Sequence, residues 1–181
     1  VQALYNIVDS MFVARVSEAA LAAVSLCYPI QMIMVAVACG TGVGINALLS
    51  RYLGEKKREK ASQVAMHGLF CAICNWVVFA VIGLFFSEAF LRLFSDDVQI
   101  IMMGISYMQI CTICSFGVFV QITYERIMQS TGNTIYNMVI QGVGALINII
   151  LDPIFIFGLG PVPALGTAGA AIATVIGQIV A

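Results

Sequence analysis

Two aspartates stand where a carboxylate is costly. Asp9 sits in NIVDSMF and Asp152 in IILDPIFIF, each flanked by aliphatic and aromatic side chains. An ionisable group inside a long apolar helix is expensive on any membrane scale, so it is a candidate for function before packing. Asp9 lies six residues before Arg15 and Asp152 six before Gly158. At the helical rise, each is about 9 Å in from the outer end of its helix, so two acids on different helices share one depth. Asn148 is at i−4 from Asp152 and shares its helical face. Thr174, counted from Ala164, comes to a depth of about 15 Å, level with Asn148. Carboxylate, amide and hydroxyl oxygens are the hard donors that suit a small cation or a proton. Tyr5, one turn from Asp9, is a further candidate for the same pocket. Pro153 has no N–H to offer the carbonyl of Ile149, which predicts a kink and a free carbonyl beside Asp152.

Other polar residues point less sharply. His67 lies near the basic loop at 51–60 and reads as interfacial. Gln31, Asn46, Asn75, Gln109, Gln121, Gln141 and Gln178 have the chemistry to line a cavity or to bond between helices. The GxGxG of Gly40, Gly42 and Gly44 follows no strand, so it reads as a helix contact and not as a nucleotide loop, as do Gly142, Gly144, Gly166 and Gly169.

The elements that must position these groups are membrane helices. Of the 181 residues, 61% are hydrophobic and only 9% charged, with a mean hydropathy of +1.03; soluble domains run near 45–50% and about 25%. A formal net charge of −1 leaves no basic surface for nucleic acid. The six cysteines all fall in apolar stretches, which argues against a secreted disulfide framework. The CAIC of 71–74 and CTIC of 111–114 therefore read as small core residues.

Six apolar segments are predicted. The first runs from Val1 to about Ala14, followed by a short stretch from Ser17 to Ala23, with Ser17 able to cap it and Glu18 in its first turn. Spans follow at Cys27–Ser50, Val64–Phe86, Val98–Ile122 and Ile135–Leu159, and a sixth begins near Ala164. Each complete span would measure about 35–37 Å as helix, enough to cross a bilayer with some tilt. The first and sixth segments lack a flank at the chain ends, so residues 1–181 are expected to be part of a longer chain. Arg51, Lys56, Lys57, Arg58, Lys60 and Arg126 fall on one side, against Arg15 and Arg92 on the other. Basic loops stay cytoplasmic, so the amino end is expected inside.

The stretches YNIVDSMFVARV at 5–16, GVGINALLSRYLGEKKREKA at 42–61, ERIMQSTGNT at 125–134, and NIILDPIFIFGLG with LGTAGAAIATVIGQ between 148 and 178 together resemble the amino-terminal half of the multidrug and toxic compound extrusion (MATE) transporters. The resemblance covers nearly the whole chain and is strongest in the combination of the first-helix VD, N-x-x-x-D-P and G-A-A-x-A-T. It implies an all-α membrane protein, a six-helix bundle forming one lobe of a twelve-helix transporter, with helix one and helix six cut and the carboxy-terminal lobe absent. It further implies an antiporter in the cell membrane that exports drugs or other small organic compounds against a sodium or proton gradient, with no other cofactor. Carried over by motif, the cation site falls on Asp9, Asn148, Asp152, the Ala170 carbonyl and Thr174. Ala14, where many relatives have Gly, is a departure without functional weight.

Two rivals are weighed beside this reading. A lipid-linked oligosaccharide flippase of the same superfamily would be expected to carry basic residues deep in its spans, and by sequence none is deep. An intramembrane aspartyl protease would use two aspartates, but neither lies in a GxGD context and Asp152 precedes Pro153.

Overall fold

The computed structural model describes residues 11–158 and 165–180. Residues 11–14 are helical, and six further helices follow: α1 Glu18–Gly54, α2 Arg58–Arg92, α3 Val98–Ile113, α4 Phe116–Ser130, α5 Thr134–Phe157 and α6 Thr167–Val180. Among the described residues there is no strand. By length and composition α1, α2 and α5 suffice to cross a membrane, and α3 with α4 makes a fourth span if the bent pair is counted as one. The apolar side chains of these helices face outward: only 17% of the most apolar stretch of α2 is buried. That inversion of the soluble pattern suits a bundle solvated by lipid.

Ser17 caps as expected, its hydroxyl accepting from Ala20 N at 3.0 Å. What it caps is different from the expectation. The stretch from Ser17 to Ala23 is no separate element but the start of α1, which runs unbroken for 37 residues through Pro29. Nothing between Glu18 and Cys27 can stop a helix, and one proline removes one bond without ending it when neighbours hold the helix.

Span four also differs. The helix predicted over 98–122 breaks at Cys114 and Ser115, bends by 41° and continues to Ser130. Hydroxyls and an indole supply the reason. Thr112 Oγ1 donates to Met108 O at 2.8 Å, Ser115 Oγ to Thr112 O at 2.6 Å, and Trp76 Nε1 of α2 to Ile113 O at 2.7 Å. Carbonyls taken by side chains no longer propagate the helical ladder, and the axis turns.

The helices alternate in direction, so the ends at Gly54, Arg58, Ser130, Thr134 and Val180 lie on one side. Gly42 of α1 is level with Arg126 of α4, where a Cβ on the glycine would come within 2.7 Å of the arginine Cγ. From there α1 extends 12 residues to Gly54 and α4 only four to Ser130. The α1–α2 hairpin therefore projects about 12 Å beyond α4. Its turn is closed by Glu55, which accepts from Lys57 Nζ at 2.7 Å and Arg51 Nε at 3.0 Å. The hydrogen bond from Lys57, then that from Arg51, holds the Glu55 carboxyl below the ordinary glutamate range. His67 is exposed on this hairpin.

Two apolar clusters fill the lobe. One joins Val13, Cys27, Leu91, Ile156, Ala170 and Ala171 toward the Ser17 end. The other joins Met34, Ala38, Phe79, Val118, Phe119 and Ile122 toward the opposite end. Of the GxGxG glycines only Gly42 makes a close helix contact; Gly40 and Gly44 face open space.

Candidate functional site

The site begins with the approach of α6 to α5. A Cβ on Gly169 would collide with the backbone of Phe155, lying 2.6 Å from its carbonyl carbon, and one on Gly177 would lie 3.0 Å from Gly144 O. Two glycines two turns apart thus let α6 rest against the α5 backbone, as small residues do in membrane helix pairs. The α5 helix runs through Pro153 to a left-handed cap at Gly158 (φ 72°), and Leu165 N and Gly166 N then return to Phe155 O and Ile156 O at 3.0 and 3.3 Å.

This approach brings the predicted residues together. Asn148 Nδ2 donates to Asp152 Oδ1 and to Thr174 Oγ1, both at 3.4 Å. Asp152 is fully buried, Asn148 2% exposed and Thr174 8% exposed. Both bonds are longer than the usual 2.7–3.2 Å. Asn148 Oδ1 is buried without a hydrogen-bond partner among the described residues, a state that costs about 1–3 kcal/mol unless a donor or cation completes it. Ala170 is fully buried on α6, one turn before Thr174. Asp9 and Tyr5 lie outside the described residues. Just after them, Phe12 stacks edge-on against Phe157 at 6.2 Å, and Val13 belongs to the cluster with Ile156 and Ala170.

Asn148 and Thr174 also line one end of a cavity of about 130 Å³ enclosed by α1, α4, α5 and α6. Glu125 and Arg126 line it too, along with Gln121, Gln141 and Gln178. Of the seven polar residues left open by the sequence, three thus line a cavity. Gln31 bonds to Tyr107 at 3.2 Å and Asn75 to Thr41 at 3.1 Å.

Glu125 and Arg126 correct the sequence reading. Arg126 is not a loop residue: it lies within α4, one turn before the helix ends at Ser130. Glu125 is only 7% exposed: Gln141 Nε2 donates to its Oε1, and Asn137 Nδ2 to its carbonyl at 3.1 Å. Arg126 Nη1 donates to Gln129 Oε1 at 2.8 Å, while its Nε is buried without a partner among the described residues. No ion pair joins the two charges. The signal that could have found them is the turn at Ser130, Thr131, Gly132 and Asn133, which ends α4 only after a further turn of helix beyond Glu125.

The cysteines need a second correction. Cys71, Cys74 and Cys114 are exposed on the lobe surface, not core residues, whereas Cys27 and Cys111 are buried and Cys39 lines the cavity. The described residues hold no group of three His, Cys, Asp or Glu that could bind a metal ion.

A family model described as MatE matches residues 1–154. A FAD transporter of Shewanella oneidensis is 29% identical over 98% of the chain, and a probable multidrug resistance protein, YoeA, of Bacillus subtilis is 31% identical over 98%. Among solved structures, an inward-facing multidrug resistance MATE family transporter of the MOP superfamily superposes with a TM-score of 0.91 at 30% identity over 99% of the chain. The chain spans about two fifths of each relative, 39% of the first two and 40% of the third.

Proposed function

The chain belongs to the MatE family, and from that membership we propose that it is the amino-terminal lobe of a cation-coupled exporter of small organic compounds. It is a multi-pass membrane protein, and a family of transporters leaves the protease reading without support. The observation that carries the coupling proposal is the Asn148 amide, which holds Asp152 and Thr174 together while its own oxygen stays buried with no partner among the described residues.

In this reading Asp152 and Asp9 supply the charge, and Asn148 Oδ1, Thr174 Oγ1 and the Ala170 carbonyl complete the oxygen set for sodium, or the two acids take a proton. Sodium and proton compete, since either removes negative charge from the same pair. Phe12 and Val13 pack on α5 and α6 only a few residues after Asp9 in sequence, which supports bringing the first segment to the site. Neutralising the acids changes how that segment packs on α5 and α6. It biases inward against outward states to the extent that the ion binds the two unequally.

The substrate crosses between this lobe and a second one, as alternating access requires two bodies. The tip of the α1–α2 hairpin, with the basic residues between Arg51 and Lys60, lies in the cytoplasm, and the α2–α3 turn up to Asp97 lies outside the cell membrane. Relatives named for multidrug resistance favour drug-like cargo over the lipid-linked oligosaccharide of a flippase. The test is export from proteoliposomes by the full-length transporter carrying this lobe, with the sodium and proton gradients collapsed in turn. Loss of export on collapsing one gradient, and its loss in Asp152→Asn, supports the reading. Export that ignores both gradients overturns it.

A further inference from the structure

We propose that the cavity between α1, α4, α5 and α6 binds a zwitterionic part of the exported compound, with an ammonium beside Glu125 and a carboxylate on Arg126. The inference rests on the exporter reading and names a class of cargo for it.

Three observations carry it. First, an acid and a base that are neighbours in sequence line one cavity without pairing. Among the described residues neither enters an ion pair; the three pairs that form are at Glu55 and Glu88. Charges taken out of water are expected in pairs. Different neighbours hold these two apart. Glu125 is held by α5, its Oε1 accepting from Gln141 Nε2 and its carbonyl from Asn137 Nδ2. Arg126 is held by its own helix and by α1: Nη1 donates to Gln129 Oε1, and Nη2 lies 3.9 Å from Cys39 Sγ. Its stem rests on Gly42, where a Cβ would stand 2.7 Å from the arginine Cγ.

Second, Arg126 Nε is buried with no hydrogen-bond partner among the described residues. Nε and Nη2 form one edge of the guanidinium, and that edge has only a thiol sulfur, a weak acceptor, against it. The group whose two oxygens match such an edge is a carboxylate. A lone carboxylate there would also face Glu125, and a lone ammonium would also face Arg126. A ligand that carries both charges meets each residue with its opposite.

Third, size and place agree. The cavity measures about 130 Å³, close to the roughly 150 Å³ of an engineered cavity that takes benzene. It therefore admits an ionic group with a few carbons, the end of a larger compound or the whole of a small one. The amides of Gln121, Gln141 and Gln178 line it as well, and each can donate to a carboxylate or accept from an ammonium. Arg126 is four residues from the end of α4 at Ser130, about 6 Å. That end lies on the side of the α1–α2 hairpin, from which an exporter collects its cargo.

The experiment is thermal unfolding of the detergent-solubilised full-length transporter, titrated with 4-aminobutanoate, butanoate or butylamine. These probes share a chain length and differ in charge. A ligand of the folded state raises the unfolding temperature with concentration, which yields an apparent dissociation constant. 4-Aminobutanoate should bind about tenfold more tightly than either singly charged probe. Arg126→Gln should make butylamine the best of the three, and Glu125→Gln should make butanoate the best, a reversal that a merely structural role would not produce. If Arg126→Gln does not accumulate, Gly42→Ala displaces the Arg126 stem at unchanged charge and should erase the preference for the zwitterion. Equal binding of the three probes, tightest binding of butylamine or butanoate by the native protein, or an order that no substitution changes overturns the proposal. The exporter reading fails separately, when export persists with both gradients collapsed; the binding order is read without a gradient and does not depend on it.

Discussion

Replacing Gly169 by Ala tests whether the α5–α6 approach builds the site. The added Cβ would meet Phe155 backbone, reaching its carbonyl carbon at 2.6 Å where ordinary contact begins at 3.4 Å. Backbone cannot swing aside as a side chain can, so α6 must withdraw by roughly 0.8 Å, an overpacking that costs about 1–3 kcal/mol. Thr174 is five residues further along α6, and its hydroxyl is already at 3.4 Å from Asn148. A withdrawal of that size opens the contact. Gly177→Ala meets Gly144 O at 3.0 Å and needs only roughly 0.4 Å, so it should cost less on the same scale. Gly142→Ala meets nothing within 4 Å and should be neutral or gain up to about 1 kcal/mol from helix propensity. The assay is thermal unfolding of the detergent-solubilised transporter over a titration of the coupling ion, since an ion that binds only the folded state raises its stability with concentration. The expected order of loss is Gly169→Ala, then Gly177→Ala, then Gly142→Ala, with the ion response weakened in the first. If Gly169→Ala unfolds at the native temperature and keeps the native ion response, the close approach does not build the site and the reasoning fails.

Asp152→Asn should stay folded and inserted yet lose gradient-coupled export, with Asn148→Ala and Thr174→Ala weakening it less; Asn148→Ala with native coupling would make the amide structural. Cysteine labelling in a background without the native thiols should protect position 57 and label position 96 from outside, and the reverse would invert the topology. Trp76→Phe should cost about 1 kcal/mol through the lost bond to Ile113 O, read as a lower unfolding temperature; no change would mean that the α3–α4 break needs no cap. The depressed Glu55 carboxyl implies a tie to Lys57 and Arg51 that is complete above the ordinary glutamate value and is lost as the pH falls through the lower folded one. Because the group is fully exposed, Glu55→Gln and native protein should unfold alike at pH 7 and pH 4, and a pH-dependent gap between them would show that the turn matters more than its exposure implies.

The parts of this lobe that sequence reveals are those set by period and composition. Asn148 and Asp152 were legible because i and i+4 share a face, and Thr174 because depth can be counted from a helix end. The true start of α6 at Thr167 puts Thr174 about 10.5 Å in, shallower than the count from Ala164, without moving it away from Asn148. Glu125 and Arg126 were not legible, since charges a turn from a loop look like a flank until the helix is known to continue to Ser130. The break at Cys114 and Ser115 was hidden for another reason: TICS is tolerable inside a helix, and what ends it includes Trp76, 37 residues away. The exposure of Cys71 and Cys74 follows a similar logic, as an apolar stretch announces membrane depth but not which face meets lipid and which meets protein.

The projecting α1–α2 hairpin gives the lobe a lever arm. Both helices keep their own backbone bonds beyond the end of α4, so the turn at Glu55 to Lys57 is carried on two stiff rods braced against each other by Gly68 and Ile45. A rigid rotation of the bundle about its middle moves that tip farther than it moves any group in the core. A spectroscopic label at position 56 would therefore report a tilt of the lobe as a magnified displacement, leaving the cavity untouched.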